Sequence, residues 1–184
     1  LEEILAPFRG YDYLIQKGLR QHPVLAALNP SSVNTVRLIT LLFRGEAHVL
    51  SACLRVGEPG SQVDNMGAGG LAFEVLPDGR LGPIGCTPDG NLIRRFPIAG
   101  NEQWETLRVP GYDREYAAAL ELAARTPHLN YVAWDFAVDE AGDPVLIEFN
   151  VHVPGQNQEI CGPTFADLTD EVLAEVFSDA NHKP

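Results

Sequence analysis

Positive charge is scarce in this chain. Only Lys17 and Lys183 are lysines, and 13 basic residues face 25 acidic ones, for a net charge of −12. A surface of that sign does not suit nonspecific nucleic-acid binding, which needs clustered basic residues. Cysteine is sparse as well. Cys53, Cys86 and Cys161 are odd in number, widely spaced and without a CxxC pair. They read as small buried apolar residues of a reducing compartment, not as a disulfide framework or zinc site. No apolar run approaches the ~18–20 residues of a membrane span and no signal peptide opens the chain, so a cytoplasmic location is expected. There is no repeat, low-complexity tract or clear linker. The histidines show no zinc-ligand spacing, and no Ser–His–Asp or Cys–His arrangement can be assembled.

What is present is the composition of a globular protein, 45% hydrophobic and 21% charged over 184 residues, enough for one domain. The chain starts at Leu1 without an initiator methionine, which reads as an excised or processed piece. Leu1–Phe8 reads as the tail of a helix, Tyr11–Ile15 as a short strand and Val24–Leu28 as one helical turn ended by Asn29-Pro30. Asn34–Phe43 and His48–Val56, rich in leucine and β-branched residues, predict a hairpin around Arg44–Ala47. Gly57–Gly70 is a loop, and Gly70–Leu76 with Arg80–Cys86 a second hairpin. Thr87–Trp104 is irregular. Tyr112–Arg125 is the clearest helix, with Tyr116, Ala119, Leu120 and Ala123 at helical spacing. Asn130–Val138 and Pro144–Val151 predict a third hairpin. Phe165–Phe177 is expected as a helix with Leu168, Val172, Leu173 and Val176 on one side. Antiparallel strands with segregated helices predict an α+β fold.

Strand alternation carries the chemistry of the third hairpin. Val132, Trp134, Phe136 and Val138 share one face, and Val145, Ile147, Phe149 and Val151 share one on the partner strand. Matching these faces leaves Asp135, Glu148 and Asn150 together on the other. With the tip at Ala141-Gly142, Asp135 lies directly opposite Glu148; a bulge at Gly142 would offset them by one position. Directly opposed carboxylates have Cβ atoms only ~4.5–5.5 Å apart and repel each other. Either one keeps a proton, or a cation sits between them, or both lie on a solvated face. Two carboxylates and an amide make an all-oxygen set suited to Mg2+ or Mn2+.

On the first hairpin the same reasoning puts Arg37 and Arg55 on one face, opposite Val36, Leu38, Ala52 and Leu54. They are direct neighbours if Phe43 pairs with Val49. Two adjacent guanidinium groups call for phosphate or carboxylate, unless each pairs with a nearby acid such as Asp64 or Glu74. Gly67–Gly70 lacks a phosphate-loop spacing and reads as a plain turn, and Arg94-Arg95 as a solvated pair.

Trp134-Asp135-Phe136 followed by Glu148-Phe149-Asn150 resembles the metal-binding end of ATP-grasp enzymes. The stretch from Asn29 to Thr40, Leu54-Arg55-Val56-Gly57, Val63-Asp64-Asn65 before Gly69-Gly70, and Gln158 are similar to the sugar-transfer-associated ATP-grasp group in particular. The resemblance runs from about Tyr11 to Ala166. It implies ATP and Mg2+ (or Mn2+) as cofactors, with Asp135, Glu148 and Asn150 as metal ligands. It implies a hinge at Tyr13–Lys17 that contacts adenine through Ile15, Gln16 and Lys17. Arg37 and Arg55 become the catalytic arginines, touching phosphate or the acyl substrate. Asp64, Asn65, Gln156 and Gln158 are the candidates for substrate contact.

The implied activity is that of a carboxylate–amine (or related carboxylate) ligase working through an acyl phosphate. Its partners would be a small-molecule carboxylate and an amine or sugar-linked acceptor, in surface-polysaccharide or cell-wall biosynthesis. The alternatives are a kinase on the same fold and a non-catalytic binding module. Residues 1–184 are expected to form the C-terminal portion of an ATP-grasp domain. The family's N-terminal lobe, with its lysines and glycine-rich loop, is absent, so weak nucleotide binding and no turnover are expected of the chain alone.

Overall fold

In the computed structural model, residues 5–10, 12, 16–94, 106–153 and 155–180 are described. The strand expected at 11–15 therefore falls almost wholly outside them, as do Ile15, part of the irregular segment and Leu1–Ile4. Seven antiparallel strands make one sheet: β1 (Thr35–Phe43), β2 (Glu46–Val56), β3 (Leu71–Val75), β4 (Leu81–Cys86), β5 (Leu92–Ile93), β6 (Tyr131–Val138) and β7 (Pro144–Asn150). Their order is β5-β4-β3-β2-β1-β6-β7. The helices are α1 (Pro23–Ala26), α2 (Tyr112–Arg125), α3 (Gln158–Cys161) and α4 (Thr169–Ala180). The expected α+β class holds.

The sheet has two different faces. On one, Val36, Leu38, Leu54, Phe73, Trp134, Phe136 and Val138 pack with Ala119 and Tyr112 of α2 in the main core. Each fully buried side chain of this size stabilises the fold by roughly 1.5–3 kcal/mol. Helix α2 has the bounds expected from its periodicity, and buries Ala119 and Ala123. The second face is more polar. Cys53, Ala72 and Cys86 pack there beneath Ile160 of α3. The cysteines are unpaired, Cys53 and Cys86 buried as expected and Cys161 half-buried.

The β1–β2 connection is shorter than expected. Phe43 pairs with Glu46, and Arg44 (φ 51°) and Gly45 (φ 83°) form the tip. Positive φ at both positions is what a two-residue primed turn requires. The register then shifts between Ile39 and Thr40, leaving Leu50 as the extra residue of a bulge, so Val49 faces Thr40 and not Phe43. Arg37 thus lies opposite Cys53 and Arg55 opposite Thr35. They share a face as expected but sit diagonally instead of as direct neighbours.

In the third hairpin Asp135 does pair with Glu148. A bulge occurs at Ile147, not at Gly142, because Phe136 pairs with Leu146. The alternation expected through Val145, Ile147 and Phe149 is therefore broken at that point. Strand β5, in the segment read as irregular, has two residues, too few to leave a periodic signal. Helix α4 begins at Thr169 because Ala166–Leu168 forms a 3-10 turn first. Its expected apolar side is largely uncovered: Val172 is buried, whereas Leu173, Val176 and Phe177 are exposed. No helix among the described residues is long and apolar enough to cross a membrane.

Candidate functional site

The polar face of β2, β1, β6 and β7 gathers most of the chemistry. Thr35, Arg37, Arg55, Asp135, Glu148 and Asn150 alternate onto it because their strand neighbours Val36, Leu54, Trp134 and Phe136 face the core. Strand β1 joins the two hairpins, pairing Arg37 with Cys53 on one side and with Asp135 on the other.

Asp135 is fully buried. Arg37 grips it with two bonds, Nε donating to Oδ1 at 2.7 Å and Nη2 to Oδ2 at 2.7 Å. Arg55 Nη2 approaches Oδ2 at 3.0 Å and Asp64 Oδ1 at 3.5 Å. Thr35 ties the cluster together. Its hydroxyl donates to Asp64 Oδ2 and accepts from Arg55 Nε at 3.0 Å and Nη2 at 2.7 Å, while its backbone N–H donates to the same carboxylate oxygen at 3.0 Å. Fork-on-carboxylate geometry of this kind is the strong form of the charge-assisted hydrogen bond. Burial pulls the Arg37 pKa down, but hydrogen bonds and charge from Asp135, with smaller contributions from Cys53 and Glu148, outweigh it, so the group lies above the usual arginine value. Burial pushes the neighbouring Cys53 thiol up to about 12, against the lowering influence of Arg37 and Arg55. That thiol is no nucleophile at neutral pH.

Of the two sequence alternatives for the arginines, the structure shows pairing with nearby acids. Arg55 pairs with Asp64, and both arginines bind Asp135. Arg37 and Arg55 both place positive charge beside the opposed carboxylates. Glu148 is exposed, and Asn150 Nδ2 lies 3.4 Å from Glu148 Oε1 and 3.5 Å from Asp135 Oδ2. The donor set fits a hard divalent cation in its chemistry: Glu148 has open lone pairs, Asp135 Oδ1 accepts, among the described residues, from Arg37 Nε alone and keeps a second lone pair, and Asn150 would add its amide oxygen, whereas Asp135 Oδ2 is already taken by Arg37 and Arg55. Asp135, Glu148 and Asn150 are the residues that would hold it. No cluster of three or more His, Cys, Asp or Glu side chains positioned for a metal occurs among the described residues.

Asp64 reaches the cluster because its loop is pinned. Asn29 Nδ2 donates to Ser32 Oγ (3.0 Å), Gly57 O (3.1 Å) and Glu58 O (3.1 Å), and Asn34 Nδ2 donates to Leu25 O at 2.8 Å. A Cβ on Gly57 would come within 2.5 Å of Val63 O and 2.7 Å of Ser32 Oγ, so only glycine lets the two loops meet. One on Gly70 would collide with the Asp64 carbonyl. These glycines position Asp64.

The remaining candidates stand apart. Asn65 is exposed, its carbonyl accepting from Ala68 and Gly70 N–H groups. Gln158 is exposed at the start of α3, with Oε1 accepting from Thr164 N at 3.3 Å. Gln16 and Lys17 are exposed, and among the described residues no hydrogen bond or ion pair joins them to the cluster. Gln156 lies in the short 3-10 turn before α3. Sequence reasoning did not single out Thr35. The available signal was its place two residues before Arg37, on the same strand face.

A seven-stranded antiparallel sheet with flanking helices, carrying acidic and amide side chains on an edge hairpin, is the α+β lobe of an ATP-grasp protein. The chain belongs to the sugar-transfer associated ATP-grasp family, whose model matches residues 9–167. ATP-grasp proteins as a class are ATP-dependent enzymes that bind ATP and Mg2+. No curated protein and no solved structure matches the chain.

Proposed function

We propose that this chain is the metal- and phosphate-binding part of an ATP-dependent carboxylate–amine (or related carboxylate) ligase. The observation that carries the reading is the polar sheet face, where Asp135 pairs directly with Glu148, has Asn150 beside it, and is gripped by Arg37 and Arg55. Asp135, Glu148 and Asn150 hold Mg2+ (or Mn2+), and Arg37 orients a phosphate or acyl oxygen. Arg55, fixed by Thr35 and Asp64, sets where Asp135 lies. Mg2+ held by these residues would supply positive charge to the phosphate oxygens of the transfer step. Forming the acyl phosphate breaks the bond between the β,γ-bridging oxygen and the γ-phosphorus and joins a substrate carboxylate oxygen to that phosphorus. The acceptor amine then displaces phosphate from the acyl carbon.

Ile15, Gln16 and Lys17 contact adenine in this reading, and Asp64, Asn65, Gln156 and Gln158 are its candidates for contact with the carboxylate substrate. A second lobe covers the nucleotide. The implied setting is cytoplasmic synthesis of surface polysaccharide or cell wall.

Calorimetric titration with Mg2+–ATP tests the core of the reading. Binding that requires Mg2+ and disappears in Glu148→Gln and Asn150→Leu supports it. Nucleotide binding indifferent to metal and to both substitutions would sink it. Product analysis of the full-length protein with candidate carboxylates and amines separates ligase from kinase, since a kinase leaves a phosphorylated product without amine-dependent condensation.

A further inference from the structure

The two arginines on the polar face are held very differently. Arg55 has three partners, Thr35, Asp64 and Asp135, and its side chain is 7% exposed. Arg37 is more open, at 14%, and among the described residues its hydrogen bonds go to Asp135 alone. It also feels the charge of Glu148, whose side chain lies exposed beside it. One of the cation-binding residues of the proposed site, Asp135, is thus also the one that holds Arg37.

We propose that Arg37 is an exchangeable counter-ion: it neutralises Asp135 until a divalent cation takes that carboxylate, and then turns its guanidinium to an anionic ligand, while Arg55 stays fixed. The inference rests on the reading of Asp135, Glu148 and Asn150 as metal ligands. Its physical basis is the cost of leaving a buried charge uncompensated. Asp135 is inaccessible to water, so an anion alone cannot draw Arg37 away without leaving Arg55 as the one cation, among the described residues, for both Asp135 and Asp64. A cation alone must compete with a two-bond guanidinium grip. When both ligands arrive, each removes the obstacle to the other. Cation and anion binding are therefore positively coupled, and linkage makes that coupling equal in both directions. Arg55 cannot make the same move, because Thr35 and Asp64 would both lose a partner.

The exchange is tested without any turnover. Binding of Mn2+ alone, followed by the resonance of the free ion, is compared in the parent protein and in Arg37→Met. Removing the competitor should tighten Mn2+ binding about tenfold, within the usual range of coupling between sites. Because Arg37→Met could perturb folding, the parent protein is also titrated with Mg2+ while the arginine Nε–H resonances are observed. The Arg37 signal should shift at saturation and the Arg55 signal stay in place. Unchanged or weaker Mn2+ affinity in Arg37→Met, together with an unmoved Arg37 resonance, overturns the exchange but leaves the metal site standing. No Mn2+ binding in either protein overturns the metal site and the exchange with it.

Discussion

Thr35 is the smallest member of the charged cluster and the one with the most to do. Its hydroxyl is a donor to Asp64 and an acceptor for two Arg55 nitrogens, so it holds two opposite charges in one arrangement. Thr35→Val keeps the shape and the β-branched fit to the strand but takes the hydroxyl away. Unmade hydrogen bonds to buried charged groups cost on the order of 1–3 kcal/mol. Thr35→Val is therefore expected to lower stability by about that much in urea denaturation, and Thr35→Ser to recover most of it. If the valine variant unfolds at the parent midpoint, Thr35 does not position the cluster. This residue also marks where reading the sequence stopped short. Alternation alone brings Asp135 opposite Glu148, because two apolar faces demand that parity. The diagonal offset of Arg37 and Arg55 depends on a two-residue turn and a bulge at Leu50, and neither has a mark in hydrophobic pattern. Arg44 in a positive-φ position is an unusual choice, and nothing in its chemistry announces the turn.

Helix α2 carries a carboxyl where a helix packed on a sheet should be apolar. Glu115 is wholly buried, and both of its oxygens lack a hydrogen-bond partner. Burial pushes its pKa up to about 9 from an ordinary 4.5. The folded protein therefore keeps a proton that the unfolded chain gives up above the ordinary value. Protons bound in excess by the folded state make stability fall as pH rises, here between about 4.5 and about 9. The slope approaches about 1.4 kcal/mol per pH unit for one such group. Denaturation at pH 5, 7 and 9 should show this decline in the parent and a much flatter profile in Glu115→Gln, which should also be the more stable of the two at pH 9. A parallel decline in both proteins would locate the effect elsewhere. The bounds of α2 were legible because a long periodic run with Pro127 beyond its end leaves few choices. Helix α4 was less so, since periodicity reports an apolar side but not what covers it. Its link to the sheet is polar: Arg44 pairs with Glu171 at 2.8 Å and Glu175 at 2.9 Å, all well exposed. Exposed pairs contribute about 0–1 kcal/mol. Phe177→Ser should accordingly leave stability within about 0.5 kcal/mol of the parent, whereas Val172→Ala, at the one buried position of the apolar side, should cost more than that.

At the scale of the molecule, the sheet ends unevenly. One edge is the two-residue β5, short enough to offer little to a neighbouring strand. The other is β7, seven residues long, paired among the described residues with β6 alone and exposing Leu146, Ile147 and Phe149. An open strand with large apolar side chains is a template for association. The net charge of −12 opposes contact between copies. These two influences respond oppositely to salt: screening weakens the repulsion and leaves the apolar attraction intact. Sedimentation velocity should therefore show association through β7 that strengthens as ionic strength rises. Ile147 is the best place to break it, because it is the extra residue of the β7 bulge and directly opposes no residue of β6. Removing one isoleucine's burial, worth roughly 1.5–3 kcal/mol, lowers an association constant roughly ten- to a hundredfold. Ile147→Lys should do at least that while keeping the monomer's denaturation midpoint near the parent's. Association that weakens with salt, or that Ile147→Lys leaves untouched, would place the contact on another surface.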